Sequence, residues 1–147
     1  MSVFVDTSAF LSILDGDDAH HPATAKVWGE LLAADTLLVT SNYVLVETAA
    51  LVQSRLGPAA SRAFHQDLWP ILHIEWVDAK VHAAATVILL SAERRKLSLV
   101  DCVSFEIMRL HQIDTAFTFD RHFREQGFVC LPGVAAGKSV PNGFPSP

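Results

Sequence analysis

The sequence contains two cysteines, Cys102 and Cys130. Each stands alone in apolar surroundings, so they make neither a disulfide framework nor a zinc pattern of paired CxxC motifs. They read as buried thiols in a reducing compartment. Long apolar runs are missing too: the longest, residues 83–90 with Thr86 inside it, falls far short of a membrane span. The opening MSVFVDTS lacks the basic stretch and apolar core of a secretory leader. A soluble cytoplasmic protein with no membrane partner is expected. Positive charge is also scarce. Eleven Lys and Arg against sixteen Asp and Glu leave a net charge of −5. That excludes a protein gripping nucleic acid by its overall charge. Apolar residues are what the chain has in quantity, 50% of its 147 positions. This is too many for a disordered chain and enough for the core of one domain.

Strand-like and helix-like segments alternate. Residues 2–5 form a β-branched and aromatic run that stops at Asp6-Thr7-Ser8. Apolar spacing predicts helices over 9–14, 22–34, 42–56, 59–68, 79–95 and 99–111, and a short one opened by Asp120. Buried strands are expected over 36–40, 73–77, 115–119 and 128–131. Such alternation predicts an α/β fold with a central, mainly parallel sheet and helices on both faces. The segment 132–147 holds four of the seven prolines, three of the seven glycines and one charge, Lys138. We therefore expect a domain over 1–132 and a flexible Pro/Gly-rich tail over 133–147.

Most of the acids sit where turns or solvent would put them, but four do not. Asp6 directly follows the first strand, at the end where open α/β sheets bind ligands, and it would also serve as a helix N-cap. Glu47 lies in NYVLVETAALV with Val44, Ala50 and Leu51 at its helical neighbour positions, a costly place for an unpaired carboxylate. Asp101 shares its helical face with Leu97, Phe105 and Met108, though a helix start also favours an acid. Asp120 follows TAFTF as Asp6 follows the first strand, and it too could be only a cap. Parallel topology can bring strand ends and neighbouring helix starts together. Gathered carboxylates repel one another unless protonated or joined by a cation. An all-oxygen set suits Mg²⁺ or Mn²⁺, ions that activate water and stabilise both oxygens of a phosphodiester displacement. That is nuclease chemistry.

Four blocks, FVDTSAF, SNYVLVETAALVQSRLG, LSLVDCVSFEIM and AFTFDRHFREQGF, follow one another in an order and spacing that resembles the PIN-domain family. The likeness is strongest to the VapC-type toxins of bacterial toxin–antitoxin pairs. It implies an α/β/α sandwich and a metal-dependent endoribonuclease, with Asp6, Glu47, Asp101 and Asp120 as its Mg²⁺ or Mn²⁺ ligands and catalytic acids. Among them Asp6 and Asp101 would be the principal ligands. Cleavage would leave a 3′-hydroxyl and a 5′-phosphate. Ser8, Ser104 and Thr118 match hydroxyls that support the acids in the family. The resemblance also implies RNA as substrate, an antitoxin protein that blocks the acidic cleft, and a homodimer.

Six of the eleven basic residues fall between Arg94 and Arg124. Arg94-Arg95-Lys96 reads as a solvated helix end that could also steer a phosphate backbone. The seven histidines show no HExxH-like spacing, and His122 reads as a surface residue. Trp28, Trp69 and Trp76 read as core or interface packing. Two alternatives stand beside the nuclease: a non-catalytic PIN-like module that binds RNA or protein, and a phosphotransferase with Asp6 as nucleophile. The second is weakened by Ser8, which stands where a second acid is needed.

Overall fold

The protein, seen in a computed structural model, is described over residues 1–133. The tail expected over 133–147 lies, Gly133 apart, outside the described residues. Five strands, β1 (Ser2–Val5), β2 (Leu37–Ser41), β3 (His73–Glu75), β4 (Thr115–Phe117) and β5 (Val129–Leu131), form one parallel sheet in the order β3-β2-β1-β4-β5. Seven α-helices connect them: α1 (Thr7–Leu14), α2 (His21–Ala33), α3 (Asn42–Leu56), α4 (Pro58–Ala63), α5 (Ala79–Ala92), α6 (Leu99–Leu110) and α7 (Arg121–Glu125). Side chains alternate faces along a strand, yet Val3, Phe4 and Val5 of β1 are all fully buried. Helices therefore cover both faces of the central strand, the layered arrangement of parallel sheets. The core is rich in phenylalanine: Phe4, Phe10, Phe64, Phe105, Phe117 and Phe123 are fully enclosed.

The chain steps from β1 outward to β2 and β3, then returns to the other side of β1 for β4 and β5. The order thus reverses between β1 and β4. Loops leaving the carboxyl ends of these two strands diverge, and the gap between them is where doubly wound sheets bind ligands.

Three expectations are corrected. The helix expected over 79–95 ends at Ala92, where Glu93 takes a left-handed conformation (φ 49°). Arg94 there leaves the helix axis to bond Glu125 at 2.6 Å. The helix expected over 59–68 breaks into α4, one π turn over Phe64–Leu68 and a 3-10 turn over Trp69–Ile71. Pro70 has no N–H to continue a regular ladder, and the wider turn buries both Phe64 and Leu68. Cys130 is half-buried rather than enclosed. Trp28 and Trp69 pack on the core, and Trp76 is exposed, which leaves it the interface half of the expected role. No helix among the described residues is long and apolar enough to cross a membrane.

A buried hydroxyl pair joins α1 to α2: Ser12 Oγ and Thr24 Oγ1 are 2.7 Å apart. Thr24→Val should cost about 1–3 kcal/mol, because it strands the Ser12 hydroxyl out of reach of water. Adding Ser12→Ala should recover most of that loss. Urea unfolding of both variants measures it, and a single variant as stable as wild type would show that the pair contributes nothing.

Candidate metal centre

Asp6 leaves β1 at the reversal point, its N–H bonded to the carbonyl of Phe117 on β4 at 3.0 Å. It occupies the N-cap position of α1, but its side chain makes no cap hydrogen bond. Instead Oδ2 accepts from Ser8 Oγ at 2.9 Å and from Thr118 Oγ1 at 3.0 Å. Each hydroxyl also serves the β4 side: Ser8 Oγ accepts from Phe119 N, and Thr118 Oγ1 from Asp120 N. Two hydroxyls therefore lock the loops after β1 and β4 together around one carboxylate. Burial, and next the charge of Asp101, push the Asp6 carboxyl up to about 6 against those two hydrogen bonds.

Asp101 arrives from the other direction, in the first turn of α6, and is 7% exposed. It completes a capping box: its Oδ2 accepts from Ser98 N at 3.1 Å, and its own N–H donates to Ser98 Oγ at 3.0 Å. The capping role and the inward placement are both real. Burial, opposed by the bonds to Ser98, raises its carboxyl pKa, and the nearby charge of Asp120 adds to the rise.

Asp120 caps α7, with Oδ1 accepting from His122 N at 2.9 Å. His122 is buried, not on the surface as the sequence suggests. Its Nδ1 lies 3.0 Å from Asp120 Oδ1 and 3.7 Å from Asp101 Oδ2 without an aligned hydrogen bond to either. One donor atom each from Asp101, Asp120 and His122 falls within a mutual 4.8 Å. An enclosed imidazole nitrogen with no hydrogen bond, set among carboxylates, fits a divalent cation. The residues present suit such an ion.

The site thus joins Asp6, Asp101 and Asp120, with Asp6 beside the tight donor set and His122 added to it. Glu47 is half-buried on α3 and lies outside that set. Its neighbour Thr48 donates to Thr7 Oγ1 at 3.2 Å, which fastens α3 next to Asp6. Of the three expected supporting hydroxyls, Ser8 and Thr118 hold an acid. Ser104 donates to the carbonyl of Val100 within its own helix instead. Both side-chain hydrogen bonds of Asp6 fall on Oδ2, and Asp101 and Asp120 each carry one backbone hydrogen bond on the oxygen that faces His122.

A model of the PIN domain matches residues 3–129. The chain belongs to the PIN-domain family. Over 128 residues this PIN domain is 34% identical to the 23S rRNA-specific endonuclease VapC20 of Mycobacterium tuberculosis, a match covering 86% of this chain and 95% of that protein. The crystal structure of that VapC20, described as a sarcin-ricin loop cleaving toxin, superposes with a TM-score of 0.76 at 33% identity, covering 86% of this chain and 96% of the other. Two more distant structures share the PIN fold at 16% identity. VapBC2 of Rickettsia felis, bound to a DNA fragment from its promoter, gives a TM-score of 0.65 and covers 88% of this chain and 97% of its own. FitAcB of Neisseria gonorrhoeae gives 0.64, covering 88% and 96%. The likeness is VapC-like along nearly the whole described chain, as FVDTSAF and AFTFDRHF suggest.

Proposed function

We propose that this PIN domain is a metal-dependent endoribonuclease, the toxin of a VapBC-type toxin–antitoxin pair acting in the cytoplasm. The observation that carries the reading is the gathering of Asp6, Asp101, Asp120 and His122 at the β1–β4 reversal, with each carboxylate held in place by hydrogen bonds. Asp101, Asp120 and His122 would hold Mn²⁺ or, less favourably because one donor is an imidazole nitrogen, Mg²⁺, with Asp6 and Glu47 completing the set. A bound cation supplies the positive charge that makes water a nucleophile and steadies the leaving oxygen of a phosphodiester. Ser8 and Thr118 keep Asp6 aimed at the site. The Ser98 box holds Asp101 at a helix start, where the backbone N–H groups also favour negative charge. The arrangement uses no covalent intermediate on the protein.

Identity to a 23S rRNA-specific endonuclease supports structured ribosomal RNA as the first substrate to try. An antitoxin partner is supported by the VapBC-type relatives. A homodimer is supported by apolar side chains left in solvent: Val46, Trp76, Val87 and Leu90. The decisive experiment incubates the purified chain with ribosomal RNA and Mg²⁺ or Mn²⁺, with EDTA as control. Cleavage with metal, none with EDTA, and a metal-dependent rise in melting temperature are expected. A chain that neither cuts nor gains stability with either ion is a non-catalytic binding module.

A further inference from the structure

A hollow of about 300 Å³ opens beside the acids, at the small end of ligand pockets and suited to a single nucleoside. It begins at Ser8, the residue that holds Asp6. From there it runs along α1 past the half-buried Leu11 to Asp15, and Asp18 and Arg55, the latter near the end of α3, also line it. One wall is aromatic. The rings of His20 and Phe119 are stacked 4.4 Å apart at 20°. Arg55 stands on the same broad face of α3 as Glu47, about 12 Å further along the helix, and makes no salt bridge among the described residues. Asp15 and Asp18 each spend one oxygen on a local backbone N–H, of Asp17 and His20 respectively.

These parts are complementary to one kind of ligand. A stacked aromatic pair extends naturally by one more flat ring. A free guanidinium suits a phosphate. Carboxylates only accept hydrogen bonds, so they repel phosphate and favour the amino and imino edge of a base. We propose that this hollow is a subsite for one unpaired RNA nucleotide next to the scissile bond. Its base stacks on the His20–Phe119 wall, its donor-bearing edge meets Asp15 and Asp18, and its phosphate meets Arg55. The proposal rests on the ribonuclease reading and deepens it: the metal centre cuts, and the hollow chooses which bond arrives there. Single-stranded RNA is recognised by this combination of stacking and edge contacts.

The test uses the full chain carrying Asp6→Asn, so that RNA is bound and not cut. The probe is a short single-stranded RNA of mixed sequence containing a fluorescent purine analogue. Binding should quench the analogue. Adding His20→Ala should relieve the quenching and weaken affinity about tenfold, the scale of one base stack. Adding Arg55→Gln should weaken affinity about tenfold and lower the slope of affinity against salt by about one, the signature of one lost phosphate contact. Both side chains are exposed, so melting temperatures should not move. Unchanged affinity, quenching and salt slope overturn the subsite. Failure of the ribonuclease reading shows separately, as a wild-type chain that does not cut RNA with either metal.

Discussion

Replacing Asp6 by asparagine is expected to abolish cleavage and, without metal, to make the protein more stable. The asparagine oxygen still accepts from Ser8 and Thr118, so the geometry survives while the buried charge goes. In the wild type the folded chain binds the Asp6 proton more tightly than the unfolded chain, with the carboxyl at about 6 against an ordinary 3.8. This contribution to stability is complete below about pH 4 and is lost as the pH rises through about 6. At pH 7.5 the cost is about 2–3 kcal/mol, or at least about 5 °C in melting temperature for a domain of this size. A cation reverses the trend, because it binds the ionised form. Stabilisation by Mn²⁺ should therefore grow between about pH 5 and 7 in the wild type and be weaker and flatter with pH in Asp6→Asn, which keeps the Asp101, Asp120 and His122 donors. Activity should fall at least about a hundredfold. The measurement is melting temperature against pH, with EDTA and with Mn²⁺, for both proteins. An Asp6→Asn chain less stable than wild type at pH 7.5 in EDTA would show that Asp6 carries no such cost.

Much of this centre is legible in the sequence, and the reasons are local. Asp6 and Asp120 stand out because each ends a short apolar strand, and Asp101 because its helical neighbours are Leu97, Phe105 and Met108. What a linear reading lacks is the strand order. Nothing in the spacing says that β4 lies against β1, and that pairing is what places Asp120 beside Asp6. His122 was hidden for the same reason. A histidine two residues beyond a helix cap looks solvated, and only the packing of α7 against α6 buries it. The faint signal was Phe123, an apolar residue in so short and polar a helix, which shows that one side of α7 faces inward. Glu47 errs in the other direction. Its apolar neighbours promised an enclosed carboxylate, but Ala50 is exposed, so the stripe is only half inside and Glu47 stays half-buried.

The acids also change the meaning of the charge balance. A net charge of −5 argues against binding RNA by overall attraction, yet much of the excess lies in carboxylates gathered at one sheet end. Two of them have raised pKa values, which is the mark of repulsion and burial that a cation would relieve. Negative charge concentrated this way does not exclude a phosphodiester. It sets a condition, that the metal comes first.

Phe123→Ala should be the most destabilising single change near the site. α7 has five residues, too few to be a stable helix by itself. It is held by Phe123, which is fully buried and meets Phe105 edge to face with ring centres 5.0 Å apart. Phe105 lies one turn beyond Asp101 on α6, and Phe123 directly follows His122. The same aromatic contact therefore sets the distance between the two halves of the donor set. Truncation to alanine should cost about 3–5 kcal/mol, a large share of the roughly 5–15 kcal/mol that holds a domain together. Phe123→Leu keeps most of the volume and should lose far less, about 1–2 kcal/mol. Urea midpoints rank the two variants, and Mn²⁺ titration at low temperature, where both remain folded, separates stability from site geometry. The alanine variant should bind Mn²⁺ at least about tenfold more weakly, because Asp120 and His122 are no longer pressed toward Asp101. If instead it binds the ion as wild type does, then the backbone after β4, and not the Phe105–Phe123 contact, fixes the site, and the hydroxyls of Ser8 and Thr118 are what hold it.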